Sequence, residues 1–369
     1  MAEHLRDEEH SDVAYVGTPD GLEARLASEA GLDFFAIPAK GFDRGDRGTL
    51  VPAVLTTLRS WFRCLDLLRR WRPDVVIGFG GYVSLPLGLA AAFAGVPLVL
   101  HEQNAVTGLA NRVLSRWASA VCVTYPGSIA VLARPSRAIV TGNPVRSSIA
   151  ASSRDAGRKA MGLSKGDLVL LVFGGSRGAR HLNEAVLALY PRLKERAKLK
   201  VVHVAGPQEV EAVTVGLAEV AGGPAAQWIV RDYIAQMGDA IAAADLVVCR
   251  AGATTLAELA AVGRPAVLVP YPYATDDHQT RNAAALVEAG AAALVRDDEL
   301  DTPRFGDEVL RLLSKPKVRA EMAAVAAAAA RPLAAHAIAE VAAEHAASYR
   351  KITGDRSGAG EAPAEDSAS

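Results

Sequence analysis

The apolar run Leu168 to Phe173 ends in Gly174-Gly175-Ser176-Arg177-Gly178-Ala179, and a helical pattern follows. Glycines at such a turn let the main chain approach a phosphate, and the helix start offers unpaired N–H groups with partial positive charge; Ser176 adds a hydroxyl donor. The same residues also suit an ordinary strand-to-helix turn capped by Ser176. The pattern is neither G-x-G-x-x-G nor a P-loop, which weakens generic dinucleotide and ATP readings. A second strand–turn–helix junction is Cys249-Arg250-Ala251-Gly252-Ala253-Thr254-Thr255-Leu256-Ala257-Glu258. A carboxylate there suits both hydroxyls of a ribose, while Thr255-x-x-Glu258 reads equally as a capping box. A third turn, Gly80-Gly81-Tyr82-Val83-Ser84, is either a cleft-lining backbone or a packing turn.

Two polar runs also close apolar strands: His101-Glu102-Gln103-Asn104, and Asp276-Asp277-His278-Gln279-Thr280-Arg281-Asn282. Polar groups are costly to bury at a strand end without partners, so each is solvated loop or site. His101 and Glu102 are the residue types that act as acid or base. The chain has no D-x-D spacing and no histidines clustered along the sequence at metal-ligand spacing. That argues against a metal-bound diphosphate, and neither metal nor cofactor is expected at the site.

These junctions need a framework to hold them. The 369 residues suffice for two domains of about 100–200 residues each. With 50% hydrophobic and 22% charged residues and a net charge of -1, a disordered chain and a globally basic nucleic-acid binder are both excluded. The three cysteines, Cys64, Cys122 and Cys249, are far apart and suggest neither a disulfide framework nor a zinc site. The N-terminus has no apolar core of a secretory signal. An uncharged run from Val75 to Leu100 has the length of a membrane span, but its glycines and Pro86 and Pro97 divide it into strand, turn, helix and strand.

Strands are expected at 12–17, 74–78, 97–101, 120–123 and 137–141, then at 168–173, 200–205, 227–230, 246–249, 266–270 and 292–295. They are near-continuous Val, Ile and Leu runs separated by helical patterns, which predicts an α/β chain of two doubly wound parallel-sheet domains. The segment 142–163, rich in Gly, Ser and Pro, reads as a linker. The Ala-rich stretch 320–347 reads as helix broken at Pro332, and the tail after Tyr349 as disordered. Leu50 to Trp71 reads as an amphipathic helix with Arg59, Arg63 and Arg70 on one face and Trp61, Phe62 and Trp71 nearby. Such a face is either solvated or rests on anionic lipid.

The motifs VGTPDGLEARL, PDVVIGFGGYVS, VLHEQN, GLANR, TGNPVR, FGGSRGAR, VVCRAGATTLAELAAVGRPAVLVPYP and DDHQTRNA, in this order from about Val16 to Gly290, resemble the MurG family. These are bacterial N-acetylglucosaminyltransferases of peptidoglycan synthesis in glycosyltransferase family 28. The resemblance implies the GT-B fold, two Rossmann-like domains facing a cleft. It places an acceptor- and membrane-facing domain at 1–145, a UDP-GlcNAc-binding domain at 146–327, a helix returning to the first domain at 328–349 and a disordered tail at 350–369. It implies inverting, metal-independent transfer of GlcNAc from UDP-GlcNAc to the C4 hydroxyl of lipid I, giving lipid II. It also implies peripheral binding of the 50–71 helix to the cytoplasmic membrane face, cell-wall synthesis proteins as partners, and roles in cell shape and division.

Position by position, Asn104, Arg146, Ser176, Ile234, Ala253, Thr254, Thr255, Leu256, Ala257, Glu258 and Gln279 match the family's donor site. The resemblance gives the Ile234 backbone to uracil, Glu258 to the ribose, Ser176 and the following helix to the departing diphosphate, Arg146 to the closing cleft, and Gln279 to sugar hydroxyls. Gly80, Gly81, Gly174, Gly175 and Gly178 are the expected phosphate-loop glycines. The family also has an opening strand and a G-G-T-G-G-H loop whose histidine is a proposed base. This sequence starts at MAEHLRDEEHSD, which resembles the end of the helix after that loop, so roughly two dozen residues of a first β-loop-α unit are expected to be missing. His4 falls inside the helix and does not replace the histidine; a mis-chosen start or a truncation is the expected cause, and only if the natural chain begins at Met1 would His101 or Glu102 have to act as base. Another UDP-sugar enzyme of the same fold, such as an epimerase, and a catalytically inactive UDP-GlcNAc-binding scaffold are the alternatives.

Overall fold

The computed structural model describes residues 1–19, 21–39, 50–175, 179–223 and 225–353. The first half runs α1 (Ala2–Asp7), β1 (Ala14–Gly17), α2 (Leu22–Glu29), β2 (Asp33–Ala36), α3 (Leu50–Trp71), β3 (Val76–Gly78), α4 (Gly81–Ala94), β4 (Leu98–Glu102), α5 (Leu109–Leu114), β5 (Ala120–Val123) and β6 (Ala138–Val140). β3 to β6 form a parallel sheet in chain order, with Ile77 opposite Val99 and Leu100 opposite Val121. β1 and β2 form a separate parallel pair, Val16 opposite Phe35. The β2 strand, Asp-Phe-Phe-Ala, is too short for its alternation to register in the sequence. Among the described residues, β1 has β2 and β3 has β4 as sole strand neighbour.

β4 shows why these strands are apolar throughout. Leu98 and Leu100 pack with Cys64, Leu65 and Leu68 of α3 on one face, while Val99 on the other meets Cys122 and Ile338. Every residue of β4 is buried, including the polar His101 and Glu102 at its end. With both faces covered the period-2 pattern disappears.

The second half runs α6 (Ser147–Ala150), α7 (Arg154–Ala160), β7 (Leu168–Phe173), α8 (Arg180–Ala188), α9 (Tyr190–Leu193), β8 (Leu199–Val204), α10 (Val210–Ala221), β9 (Trp228–Arg231), α11 (Met237–Ala243), β10 (Leu246–Cys249), α12 (Ala253–Val262), β11 (Ala266–Leu268), α13 (His278–Glu288) and β12 (Ala292–Leu294). The parallel sheet has the order β12-β11-β10-β7-β8-β9. The chain enters at β7, builds outward to β9, then returns to β10 on the other side of β7, so strand order reverses between β7 and β10. In open α/β sheets a ligand lies outside the carboxyl ends of the strands at that reversal.

The segment 142–163 is not an extended linker. It holds α6 and α7, which pack on the second domain: a Cβ added at Gly157 would sit 2.0 Å from the Asp239 carbonyl oxygen, and buried Arg158 pairs with Asp245 at 3.1 Å. Its small residues serve close helix packing rather than extension. After α14 (Pro303–Ser314) and α15 (Pro316–Ala328), the helix breaks around Pro332 and α16 (Ala334–Thr353) returns to the first domain, where Ile338 packs on Val99 and Cys122. Helix thus extends past Tyr349, where disorder is expected from composition; 354–369 lie outside the described residues.

Candidate active site

At the reversal, Cys249 lies opposite Phe173, so the turns after β7 and β10 share one edge of the sheet. α8 starts behind Ala179 and α12 behind Gly252, and neither receives a side-chain cap. Two adjacent helix starts therefore present first-turn N–H groups with no side-chain acceptor among the described residues, a setting that favours an anion. Gly175 holds φ +99°, and a Cβ there would meet nothing within 4 Å among the described residues. Backbone conformation rather than crowding demands glycine at this position. Ser176 and Gly178, expected on the same loop, lie outside the described residues.

Because α12 is capped at Gly252, Thr255 is already inside the first turn and the capping box read from Thr255-x-x-Glu258 does not form. Glu258 instead pairs with Arg146 Nη2 at 3.6 Å, its own side chain 8% exposed and that of Arg146 59%. Burial raises the Glu258 pKa, against the opposing charge of Arg146. A nearly dry carboxylate with one long ion pair has acceptor capacity left for a ligand's hydroxyls. Along the same helix Ala253 and Leu256 are buried, Thr254 is exposed, and Thr255 and Ala257 are half-buried.

Gln279 ties two strand ends together: its Oε1 accepts from the Ala251 N–H at 3.1 Å and the Tyr271 N–H at 2.9 Å. That fixes the amide and leaves Nε2 as the donor half. Asp276 and Asp277, which lead into α13, hold φ of +54° and +50°, uncommon for residues with a Cβ and costing of order 1–3 kcal/mol each. Ile234 packs its side chain against the second-domain core. Its backbone makes no hydrogen bond to any described residue, which suits it to a planar heterocycle.

His101 and Glu102, the two bases suggested by residue type, have structural roles instead. His101 is fully buried, and its Nε2 donates to the Gly142 carbonyl at 3.0 Å. Burial pushes its pKa down to about 4, which favours the neutral ring at pH 7. Glu102 is 3% exposed. It accepts from the Asn104 N–H (3.0 Å), the Gly108 N–H (2.9 Å) and Asn111 Nδ2 (2.9 Å), so both of its oxygens are engaged. A carboxylate so engaged organises the 102–111 loop.

Three side chains beyond those expected complete the site. Asn282 is fully buried and spans the two domains: Oδ1 accepts from the Ala105 N–H at 2.7 Å, and Nδ2 donates to Asn104 Oδ1 at 3.0 Å. Asn111 braces the β3–α4 turn from below; a Cβ on Gly80 (φ +80°) would lie 3.3 Å from its Nδ2. Gly81 has φ +76° and open space beyond it. Arg250 pairs with Asp297 at 2.5 Å, and Asp297 accepts from His181 Nδ1 at 2.8 Å. This hydrogen bond raises the His181 pKa, and the chain of contacts anchors the first turn of α8 to β10 and β12. In the sequence, Arg250 lies in the turn after a strand and Asn282 in a polar run after a strand, and both fall within motifs shared with the family. A cleft of about 550 Å³ opens between the domains, with Thr107, Arg112 and Ser128 on one side and Asp276 and Arg281 on the other.

Comparison with known proteins places this geometry. The model of the glycosyltransferase family 28 N-terminal domain matches residues 1–123, and that of the C-terminal domain residues 169–338. The UDP-N-acetylglucosamine--N-acetylmuramyl-(pentapeptide) pyrophosphoryl-undecaprenol N-acetylglucosamine transferase of Desulforudis audaxviator is 42% identical over 334 residues, 90% of this chain and 89% of the relative. The protein of the same name from Halothermothrix orenii is 40% identical, covering 88% of each. The crystal structure of Acinetobacter baumannii MurG superposes with a TM-score of 0.71 at 32% identity, over 93% of this chain and 94% of that one. A UDP-GlcNAc 2-epimerase from Neisseria meningitidis has a TM-score of 0.63 at 14% identity, over 90% of this chain and 92% of that one, a likeness of fold alone.

Proposed function

The chain belongs to glycosyltransferase family 28, and from that premise we propose that it transfers N-acetylglucosamine from UDP-GlcNAc to the C4 hydroxyl of lipid I, giving lipid II for peptidoglycan synthesis. The observation that carries the donor assignment is the buried Glu258 beside two uncapped helix starts where strand order reverses. The Ile234 backbone receives uracil, Glu258 the ribose diol, and Gln279 Nε2 with Asn104 the sugar hydroxyls. The acceptor C4 oxygen attacks the anomeric carbon from the face opposite the diphosphate, its O–H proton passes to water in the cleft, the C–O bond to UDP breaks with its electron pair staying on the diphosphate, and configuration inverts. Charge developing on the diphosphate is met by the N-termini of α8 and α12, dipoles already oriented before reaction. Arg146 adds a charge-assisted bond as the cleft closes.

Labelled UDP-GlcNAc with a lipid I analogue, in the presence of EDTA, tests this reading. The expected product is the disaccharide lipid, formed only when acceptor is present. Conversion of UDP-GlcNAc without acceptor would support an epimerase instead, and binding without turnover an inactive scaffold.

The reading includes peripheral docking on the cytoplasmic leaflet. No helix of the described residues is long and apolar enough to cross a membrane. α3 buries Cys64, Leu65 and Leu68 inward, yet exposes Val54, Leu55, Leu58 and Phe62, with Phe93 of α4 beside them. Trp61 joins the helices, its ring 4.9 Å from Phe62 and 5.4 Å from Phe93. Arg59 and Arg63 are exposed on the same helix. An apolar strip edged by arginines suits anionic headgroups. Replacing Leu58 and Phe62 together by Glu is expected to weaken binding to anionic vesicles at least about 10-fold, since each inserted side chain contributes roughly 1.5–3 kcal/mol. Sedimentation with vesicles checks this, and unchanged UDP-GlcNAc affinity shows that the fold is intact. A protein at this step would serve wall growth, cell shape and division, alongside other wall-synthesis proteins.

A further inference from the structure

α1 and α16, at opposite ends of the described chain, bring together three groups that the reaction does not use. His4, Glu9 and His336 each bring one ligand-type atom within 4.8 Å of the other two. Glu9 Oε1 is 3.6 Å from His4 Nε2 and 3.3 Å from His336 Nδ1. Ligands about 2.0–2.1 Å from a tetrahedral Zn²⁺ stand roughly 3.3–3.5 Å apart, so Glu9 Oε1 already has nearly the required spacing to each histidine. His4 Nε2 is buried without a hydrogen-bond partner.

The outer groups strengthen the case. The remaining nitrogen of each histidine faces a carboxylate one helical turn on: His4 Nδ1 is 3.3 Å from Glu8 Oε2, and His336 Nε2 is 3.4 Å from Glu340 Oε1. A metal-bound histidine characteristically donates its other N–H to such a group, which sets the tautomer and makes the ligating nitrogen more basic. With neutral histidines, Glu8, Glu9 and Glu340 bring three negative charges around the position a dication would take.

We propose that His4, Glu9 and His336 form a binding site for a divalent transition cation of the zinc class, with Glu8 and Glu340 as outer carboxylates. Imidazole and a single carboxylate favour such ions over Mg²⁺ or Ca²⁺, which prefer all-oxygen shells. The site is structural: it clamps α1, a six-residue helix with no buried residue, onto α16, whose Ile338 packs against the first-domain sheet. The donor site is built from other residues, so this inference does not depend on the proposed reaction.

Chelator-stripped full-length protein titrated with Zn²⁺ by calorimetry, and with Co²⁺ by visible absorption, tests the site. Expected are one saturable equivalent, a Co²⁺ spectrum of low coordination number, and a rise in Tm with Zn²⁺. Affinity should fall by at least about 100-fold in His336→Ala and in Glu9→Ala, and by about 10-fold in Glu340→Gln, as outer-group changes do. His345→Ala, also on α16, should bind as the parent does. His336 is half-exposed, and circular dichroism of the stripped variant establishes that its loss leaves the fold intact. Absence of a saturable equivalent, or unchanged affinity in His336→Ala and Glu9→Ala, would overturn the proposal. So would an equal loss in His345→Ala.

Discussion

Replacing Glu258 should harm catalysis and help stability at once. Glu258→Ala is expected to lower kcat/KM for UDP-GlcNAc by about 10²–10⁴, since each hydrogen bond to a charged group is worth roughly 1.5–3 kcal/mol and a ribose diol makes two. Glu258→Gln keeps one acceptor and should lose about 10–10². The ligand-free stability moves the other way. Burial raises the Glu258 pKa, so the fold favours the protonated acid and the ionised form at pH 7 costs stability. That cost fades as pH falls through the raised folded pKa. Gln carries no charge to desolvate, and Arg146, mostly exposed, loses little when its partner goes. Thermal melts should therefore show a higher Tm for Glu258→Gln at pH 7, with the advantage shrinking toward acid pH. A lower Tm together with unchanged kinetics would remove Glu258 from the donor site.

Asn282→Ala should raise the KM for UDP-GlcNAc by about 10–100-fold without touching the sugar. Its side chain bonds the Ala105 N–H and Asn104 Oδ1 across the domain boundary, and truncation strands both partners at roughly 1–3 kcal/mol for each buried unpaired group. The Asn104 amide then loses the bond that orients it, so donor binding pays for reordering. A double-mutant cycle with Asn104→Ala separates this from general damage. Coupling of about 1–2 kcal/mol in donor binding is the expected result, whereas additive losses would mean that Asn282 merely supports the fold. Tyr125 should keep its 3.4 Å bond in both variants, since it reaches the Asn282 backbone carbonyl.

Much of the framework was legible in advance, because a parallel sheet covered on both faces writes itself as apolar runs ending in glycine turns. The α3 helix follows its predicted limits, since its 3.6-residue period is long and regular. β2 and the helices within 142–163 were missed for opposite reasons. Four residues give no period, and Ser, Ala and Gly read as linker when they in fact permit close helix packing.

For the site, residue types and their places after strands singled out Glu258, the run holding Gln279 and the glycine turns, because strand ends are where this topology puts ligands; Ile234 was pointed to only by the family resemblance. What each side chain can do was decided only in three dimensions. Whether Glu258 caps a helix or faces a ligand depends on which residue caps α12, and that residue is Gly252. His101 and Glu102 look like acid and base as residue types, but both are buried, His101 donates to the Gly142 carbonyl, and Glu102 accepts from Asn104, Gly108 and Asn111. Along the chain no histidines cluster at metal-ligand spacing, yet His4 and His336 meet because α16 folds back over the first sheet beside α1. Sequence determines residue chemistry and the period of each element; proximity between distant segments, and the desolvation that sets which groups stay charged, arise only when the chain closes on itself.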